Sequence, residues 1–474
     1  MRPYLLIDFG STYTKLTAVD LAKPAVLGTA SALTTVAEGL IVGYRQALKR
    51  LTAKVGPLAY ERRLACSSAA GGLKMVAIGL VPELTVEAAK RAALGAGARL
   101  VGSFSFELTA ADLDALQALK PDLILLAGGT DGGNKTVLRH NGALLAASSL
   151  DVPVILAGNK TVAVEVEATL KQAGKVCYRV PNVLPALDRL NIQPVQAKIR
   201  EVFLERIIRA KGLAEVEREI DGILMPTPAA VQAAAERLAT GPGDGRPGWG
   251  DLLLVDVGGA TTDVHSIAEG RPTKPHVYTH GLPEPRVKRT VEGDLGLRAS
   301  AVAMLELFTP QFLASLTGLT VEEVTAWVQA RAEAPHYLPD HPADRCLETV
   351  LGYLAVKTAT ERHVGKLEQV YSPQGVCHLQ EGKDLTGLKT VIGTGGVFVH
   401  SPAPGRILAG VLPTPDRPEL LKPQAPRFYL DAHYLFSTLG LIAKEYPDLS
   451  FCLLEKALKQ VKDGNTGKTK VFDS

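Results

Sequence analysis

This chain is poor in the residues that staple or anchor a protein. Its 474 residues include only two Trp, four Met and five Cys. The cysteines, Cys66, Cys177, Cys346, Cys377 and Cys452, are odd in number and form no Cys-x-x-Cys pair. That excludes a disulfide framework and a zinc ribbon as the organising device, and reduced thiols are expected. No apolar run approaches the roughly 18 residues of a membrane-crossing helix. The net charge is only +3 and its Lys and Arg are dispersed, so there is no basic block to hold nucleic acid. The loop-lysine phosphate signature Gly-x-x-x-x-Gly-Lys-Ser/Thr is also missing. A strand ending in Asp8 starts almost at the first residue, leaving no room for a signal peptide, so a cytoplasmic, non-membrane protein is expected. The length calls for two or three domains, and a composition of 46% hydrophobic and 21% charged residues suits globular cores.

Against these absences stand two glycine-acid elements, Leu5-Leu-Ile-Asp-Phe-Gly-Ser-Thr-Tyr-Thr-Lys15 and Leu253-Leu-Val-Asp-Val-Gly-Gly-Ala-Thr-Thr-Asp-Val264. Each opens as an apolar strand ending in Asp, then turns through Gly and hydroxyl residues whose N–H groups can reach phosphate. Two such hairpins facing each other can hold one nucleotide. Gly10, Gly258 and Gly259 let backbone approach phosphate oxygens, and Ser11, Thr12 and Thr261 can donate hydroxyls. Asp8 and Asp256 stand where Mg²⁺ would be held through water, which suits a hard cation that keeps its hydration shell. Asp263 reads either as the group that orients or activates the attacking water or as a carboxylate capping the hairpin. Lys15 reads either as a phosphate contact or as a solvated strand lysine.

Along the chain, residues 4 to 31 read as three short strands, followed by a helix from Glu38 to Ala53. From about 60 to 185 strands and helices alternate, as in a parallel α/β unit. Residues 186 to 240 read as mainly helical, and Thr240-Gly-Pro-Gly-Asp-Gly-Arg-Pro-Gly-Trp-Gly250 is a glycine-proline boundary. The three-strand opening then recurs near Asp251-Val255, Asp263-Ile267 and His276-Thr279. The proline-rich stretch from Pro402 to Pro426 reads as a surface loop, ahead of a last strand and helix at Phe428-Ala443.

Asp256-Val-Gly-Gly-Ala-Thr-Thr-Asp-Val264 and Ile7-Asp-Phe-Gly-Ser-Thr-Tyr-Thr14 resemble the two phosphate motifs of the actin, heat-shock chaperone and sugar kinase ATPases. Val391-Ile-Gly-Thr-Gly-Gly-Val397 is similar to their adenosine motif. The resemblance implies an α/β protein with two actin-like, ribonuclease H-like ATPase lobes and an inserted parallel α/β domain. The first lobe would start in 1–60, the insert occupy 61–185, a helical segment and hinge fill 186–245, and the second lobe span 246–474. It further implies ATP and Mg²⁺ as cofactors, held by Gly10, Ser11, Thr12, Tyr13, Lys15, Gly258, Gly259, Ala260 and Thr261, with Gly393, Thr394, Gly395 and Gly396 against adenosine.

Four further segments, Ser67-Ser-Ala-Ala-Gly-Gly-Leu-Lys-Met75, Asp122-Leu-Ile-Leu-Leu-Ala-Gly-Gly-Thr-Asp-Gly-Gly133, Ala157-Gly-Asn159 and Lys288-Arg-Thr-Val-Glu-Gly-Asp-Leu-Gly-Leu-Arg298, resemble the GlmL/MutL family of glutamate mutase accessory proteins. That family shares a name, not a fold, with a DNA mismatch-repair protein. The resemblance implies an ATP-dependent chaperone that reactivates an adenosylcobalamin-dependent mutase, with the mutase subunits as partners and a homodimer left open. A sugar-type kinase, an actin-like scaffold and an iron–sulfur activator remain as alternatives, though no paired cysteines for a cluster are present.

Outside the hairpins, Gly128, Gly129, Thr130 and Asp131 end a strand of the insert. They read either as a cradle for a second ligand or partner, or as a tight turn in which Asp131 caps a helix. Glu292 and Asp294 either face the cleft or, for Asp294, cap a helix beginning at Leu295. His265 reads as an ordinary strand histidine, and Asp431 as a cap.

Overall fold

A computed structural model describes residues 1–35, 39–68, 73–96, 98–187, 189–210, 213–372 and 375–461. Glu38 and the Ala69–Gly72 part of the segment starting at Ser67 therefore lie outside the described residues. The chain forms two compact units: Met1–Ala69 with Glu215–His280 and Glu284–Ser474, and Ala70–Ala214 with Gly281–Pro283.

The first unit holds two sheets built to one plan. In the first, Pro3–Phe9, Tyr13–Asp20 and Ala25–Leu33 pair antiparallel, and Arg62–Ser67 and then Gly222–Pro226 join Pro3–Phe9 in parallel. In the second, Leu252–Val257 pairs antiparallel with Thr262–Ile267 and that with Val287–Glu292, while Thr390–Thr394 and Arg427–Asp431 add in parallel. Leu458–Val461 closes its edge antiparallel. Both sheets thus run third, second, first, fourth, fifth, the arrangement of two actin-like lobes.

The central strands are apolar throughout because both faces are covered. Leu252 and Leu254 point into a core shared with Tyr4, Leu6, Leu64 and the helices Thr227–Thr240 and Pro447–Ala457. Leu253, Val255 and Val257 point the other way, onto Leu347, Leu351 and Val356 of the helix Pro342–His363. On the first sheet, the helix Leu40–Val55 buries Leu40, Ile41, Tyr44, Ala47 and Leu51, spaced at three and four as one helix face requires. Helix Thr227–Thr240 carries Ala230, Ala234 and Ala235 on its buried side; these let Gly440 pack onto the Ala230 carbonyl so closely that any Cβ would collide.

Three expectations are corrected here. Val277–His280 is not the third strand of the second lobe but joins Gly375–Glu381 and Lys366–Ser372 in a separate small sheet. It is largely exposed, so it lacks the buried face a lobe strand needs, and Val287–Glu292 takes that place. Gly222–Pro226 is a strand inside a region read as helical; five residues between Gly222, at φ 135°, and a proline carry too little periodicity to show. The stretch from Pro402 to Pro426 is not a simple surface loop, since Ile407, Leu408 and Val411 are buried in it.

In the second unit five strands run parallel in the order Arg99–Ser105, Lys74–Gly79, Leu123–Leu126, Val154–Leu156, Cys177–Arg179. This is a doubly wound α/β sheet with its order reversing between Lys74–Gly79 and Leu123–Leu126. The unit continues past 185 through the helix Gln193–Ala210 to Ala214, so the expected boundary at 185 falls inside it. Among the described residues no helix is long and apolar enough to cross a membrane.

Candidate nucleotide site

The two hairpins close in the same way. Gly10 N–H donates to the Tyr13 carbonyl at 3.1 Å, and Gly258 N–H to the Thr261 carbonyl at 2.9 Å. A Cβ on Gly10 would lie 2.6 Å from that Tyr13 oxygen, so the first turn admits only glycine. The turns face each other: a Cβ on Gly259 would lie 3.6 Å from Thr12 Oγ1. Between them is a cleft of about 420 Å³. Asp8, Gly10, Ser11, Thr12, Tyr13 and Lys15 line one wall, and Asp256, Gly258, Gly259, Ala260, Thr261 and Asp263 the other.

Strand register decides the charges, because directly opposed residues share a face. In the first hairpin Asp8 is opposite Lys15, whose Nζ stands 3.6 Å from the Asp8 carboxylate and 4.5 Å from the Tyr434 ring centroid. Lys15 is therefore turned into the cleft, not out to solvent. Asp8 is buried and also accepts hydrogen bonds from Thr227 Oγ1 at 2.7 Å and Ser437 Oγ at 3.0 Å. In the second hairpin Asp256 is opposite Asp263. Burial, followed by the Asp263 charge, pushes the Asp256 carboxyl up to about 7.

Asp263 is held from two sides. Arg289 forms a buried bridge to its Oδ1, with Nε at 2.8 Å, and Thr261 Oγ1 donates to its Oδ2 at 3.0 Å. The Asp8 and Asp256 carboxylates fit a magnesium site: Asp256 is a charge made costly by neighbouring carboxylates, and a hydrated dication would relieve that cost.

The third motif divides. Gly395 and Gly396 line the cleft, and Gly395, at φ 108°, lies so close to Val257 that a Cβ would collide with its carbonyl oxygen. Gly393 packs inward on Phe398 and Leu408, and Thr394 is buried, donating to Asp431 at 3.0 Å. Neither lines the cleft, because alternate residues of the strand Thr390–Thr394 must serve its two covered faces. Asp431 is a cap, accepting from Leu435 and Phe436 N–H at 2.9 and 3.1 Å.

Asp294 caps no helix at Leu295, where none begins; the next helix is Ala301–Phe308. With Glu292 it binds Arg362, at 2.8 and 2.6 Å. His265 is fully buried with neither ring nitrogen hydrogen-bonded among the described residues, and burial beside Arg289 lowers its pKa to about 3. It stays neutral.

In the second unit, the Gly128–Asp131 loop is stitched to its own neighbours. Asn159 accepts from Gly132 N–H and donates to the Gly133 and Asn134 carbonyls, while Asn182 donates to the Gly129 carbonyl. Asp131 accepts from Asn182 and from Lys160 N–H, so it caps the helix Lys160–Gln172 and not the helix that follows its own loop.

Sequence motifs missed Thr227, Ser437, Arg289, Glu348 and Tyr434, which come from elements far apart in the chain. Thr227 had a local signal, a Thr-Pro pair at a helix start, and Arg289 lay in the family-like segment Lys288–Arg298 without a role assigned to it.

The chain matches the MutL protein family over residues 4–458. It is 48% identical over 465 residues to Protein MutL of Clostridium tetanomorphum, covering 97% of this chain and all of that one (100%). The chain belongs to the MutL family. Solved structures similar to this MutL-family chain include nucleotide-free acetone carboxylase, with TM-score 0.42 and 14% identity over 93% of this chain and 70% of that one. Another is the nucleotide-free diol dehydratase-reactivating factor, with TM-score 0.33 and 11% identity over 94% of this chain and 100% of that one.

Proposed function

We propose that this MutL-family protein binds Mg·ATP between its two hairpins and hydrolyses it to drive the reactivation of an adenosylcobalamin-dependent mutase in the cytoplasm, glutamate mutase first among the candidates. The observation that carries the nucleotide reading is the facing pair of glycine turns, each with its own Asp, across one cleft. The mutase comes from the family resemblance and not from the cleft.

In this reading the backbone N–H groups of the Gly10 and Gly258–Gly259 turns, with the Ser11, Thr12 and Thr261 hydroxyls, grip the phosphates. A magnesium ion held through water by Asp8 and Asp256 supplies charge neutralisation and orientation of the terminal phosphoryl group. Thr227 and Ser437 fix the Asp8 carboxylate, and Lys15 offsets its charge. With one oxygen on Arg289 and the other on Thr261, Asp263 is better built to orient a water than to remove its proton. Gly395 and Gly396 give adenosine a wall without side chains.

Among the contacts that tie the lobes, Tyr13 donates to the His336 carbonyl at 3.3 Å and Lys15 lies over the Tyr434 ring. Both flank the phosphate turns, so filling and emptying the cleft changes how the lobes are held, and this is the stroke passed to the client. The test is recovery of a mutase inactivated by damaged cobalamin. Turnover should return with the protein plus Mg·ATP and release phosphate without phosphorylating an acceptor; no recovery with ATP, despite phosphate release, sinks the chaperone reading.

A further inference from the structure

Arg298 is the one cation on the second-lobe wall of the cleft whose donors are not all used, among the residues lining it. It belongs to none of the phosphate motifs. The segment Gly296–Ser300 is laid against the second turn: Leu297 N–H donates to the Gly258 carbonyl at 3.1 Å, Arg298 N–H to the Gly259 carbonyl at 2.8 Å, and Ser300 Oγ to the Ala260 carbonyl at 2.7 Å. Gly296 presses on Ala260 so closely that any Cβ would strike its backbone. The stem of Arg298 then lies over Gly259, where an added Cβ would come within 3.1 Å of Arg298 Cβ and 3.3 Å of Cγ. Gly259 thus does a second job: it makes room for an arginine beside the phosphate turn.

The guanidinium is fixed from behind. Nη1 donates to the Leu297 carbonyl at 2.8 Å, and Nη2 to Glu348 Oε1 at 2.8 Å and to the Tyr337 carbonyl at 3.4 Å. Of the five N–H groups an arginine carries, these use three. Among the described residues Nε–H and the second Nη1–H have no partner, and the side chain, 11% exposed, lines the cleft. Glu348 is buried and spends only one oxygen on the pair; Oε2 has no hydrogen-bond partner among the described residues. A carboxylate held dry by a single contact is costly unless its cation is kept in place. Glu348 therefore anchors Arg298, while two donors remain for an anion.

We propose that Arg298 is a phosphate-binding residue of the second lobe, facing Lys15 of the first, and that Glu348 is its positioning residue. This rests on the nucleotide reading above. A triphosphate brings more negative charge than one dication removes, into a cleft already lined by Asp8, Asp256 and Asp263. A guanidinium with two N–H groups unused, on Nε and Nη1, brings positive charge and donors to that need at the Gly258–Gly259 turn.

The test compares equilibrium binding of Mg·ATP with that of adenosine, which carries no phosphate, to the full chain. Losing a hydrogen bond from a charged donor costs on the order of ten- to a hundredfold in affinity. Arg298→Met should weaken Mg·ATP by at least about tenfold and leave adenosine within about twofold, and Arg298→Lys should recover part of the loss. If Arg298→Met fails to fold, because Glu348 is left buried and alone, Arg298→Met with Glu348→Gln removes both charges and should give the same split. Equal loss for ATP and adenosine, or no loss for either, overturns the proposal. If the unaltered protein binds no Mg·ATP, the nucleotide reading itself is what fails.

Discussion

The charge on Asp256 gives the account its sharpest quantitative consequence. Its carboxyl is pushed up to about 7 by burial and by Asp263 opposite it, so in the nucleotide-free protein it is protonated below that pH and ionised above. Only the ionised form helps hold a magnesium-bound nucleotide. With a pKa of about 7, roughly nine-tenths of the protein is ionised at pH 8 and roughly one-tenth at pH 6. The Mg·ATP dissociation constant should therefore rise about tenfold over that interval from this group alone, and by a further factor of about ten at pH 5.

ATP and magnesium have their own pH dependence, so the control must share it. Asp263→Asn with Arg289→Met removes the opposing charge together with its buried partner, leaving no uncompensated ion. Asp256 then ionises at lower pH, and the profile of the double variant should be flatter. The assay is titration calorimetry of Mg·ATP into both proteins at pH 8, 7, 6 and 5. The ratio of the two dissociation constants should grow several-fold as pH falls. A ratio that stays constant would refute the claim that Asp263 sets the ionisation of Asp256.

Gly395→Ala puts a methyl group into the Val257 carbonyl at a backbone φ of 108°, so it should weaken adenosine and ATP alike by at least about tenfold, while Gly387→Ala, which meets no atom within 4 Å and is not in the left-handed region, should change neither. Lys383 is fully buried, its pKa lowered by burial from 10.5 to about 7, so between these values the unfolded chain binds one more proton and stability rises with pH. Lys383→Met should lose that slope of about 1.4 kcal/mol per pH unit between pH 7 and 9. Urea unfolding followed by tryptophan fluorescence reads it, because Trp249 and Trp327 both lie in the first unit; equal slopes would show that Lys383 carries no such penalty.

The parts of this molecule that could be read from sequence are those encoded locally. Each hairpin compresses its chemistry into about ten consecutive residues, so Asp8, Gly10, Asp256 and Gly258 announce themselves, and register alone then places Lys15 against Asp8 and Asp256 against Asp263. What holds those groups is not local. Thr227 and Ser437 reach Asp8 from the starts of two helices hundreds of positions away, and Arg289 reaches Asp263 from the strand Val287–Glu292.

The same limit explains the misplaced third strand. Val277–His280 has strand-like residues but no buried face, and only pairing tells it from Val287–Glu292. The Gly128–Asp131 loop, left open in sequence between a cradle and a tight turn, shows the same dependence on distant residues. Asn159 and Asn182, contributed by the following segments, bind the Gly129 and Gly133 carbonyls and the Asp131 carboxylate.

Phosphate release by Asp256→Ala is the most direct measurement of the central claim, that the two hairpins form a single Mg·ATP-hydrolysing site. The carboxylate lies at the cleft wall, half-buried, so its loss should leave the fold intact by circular dichroism. The unaltered chain should release phosphate from Mg·ATP and the folded variant should not. Hydrolysis by the variant at the unaltered rate would contradict the account.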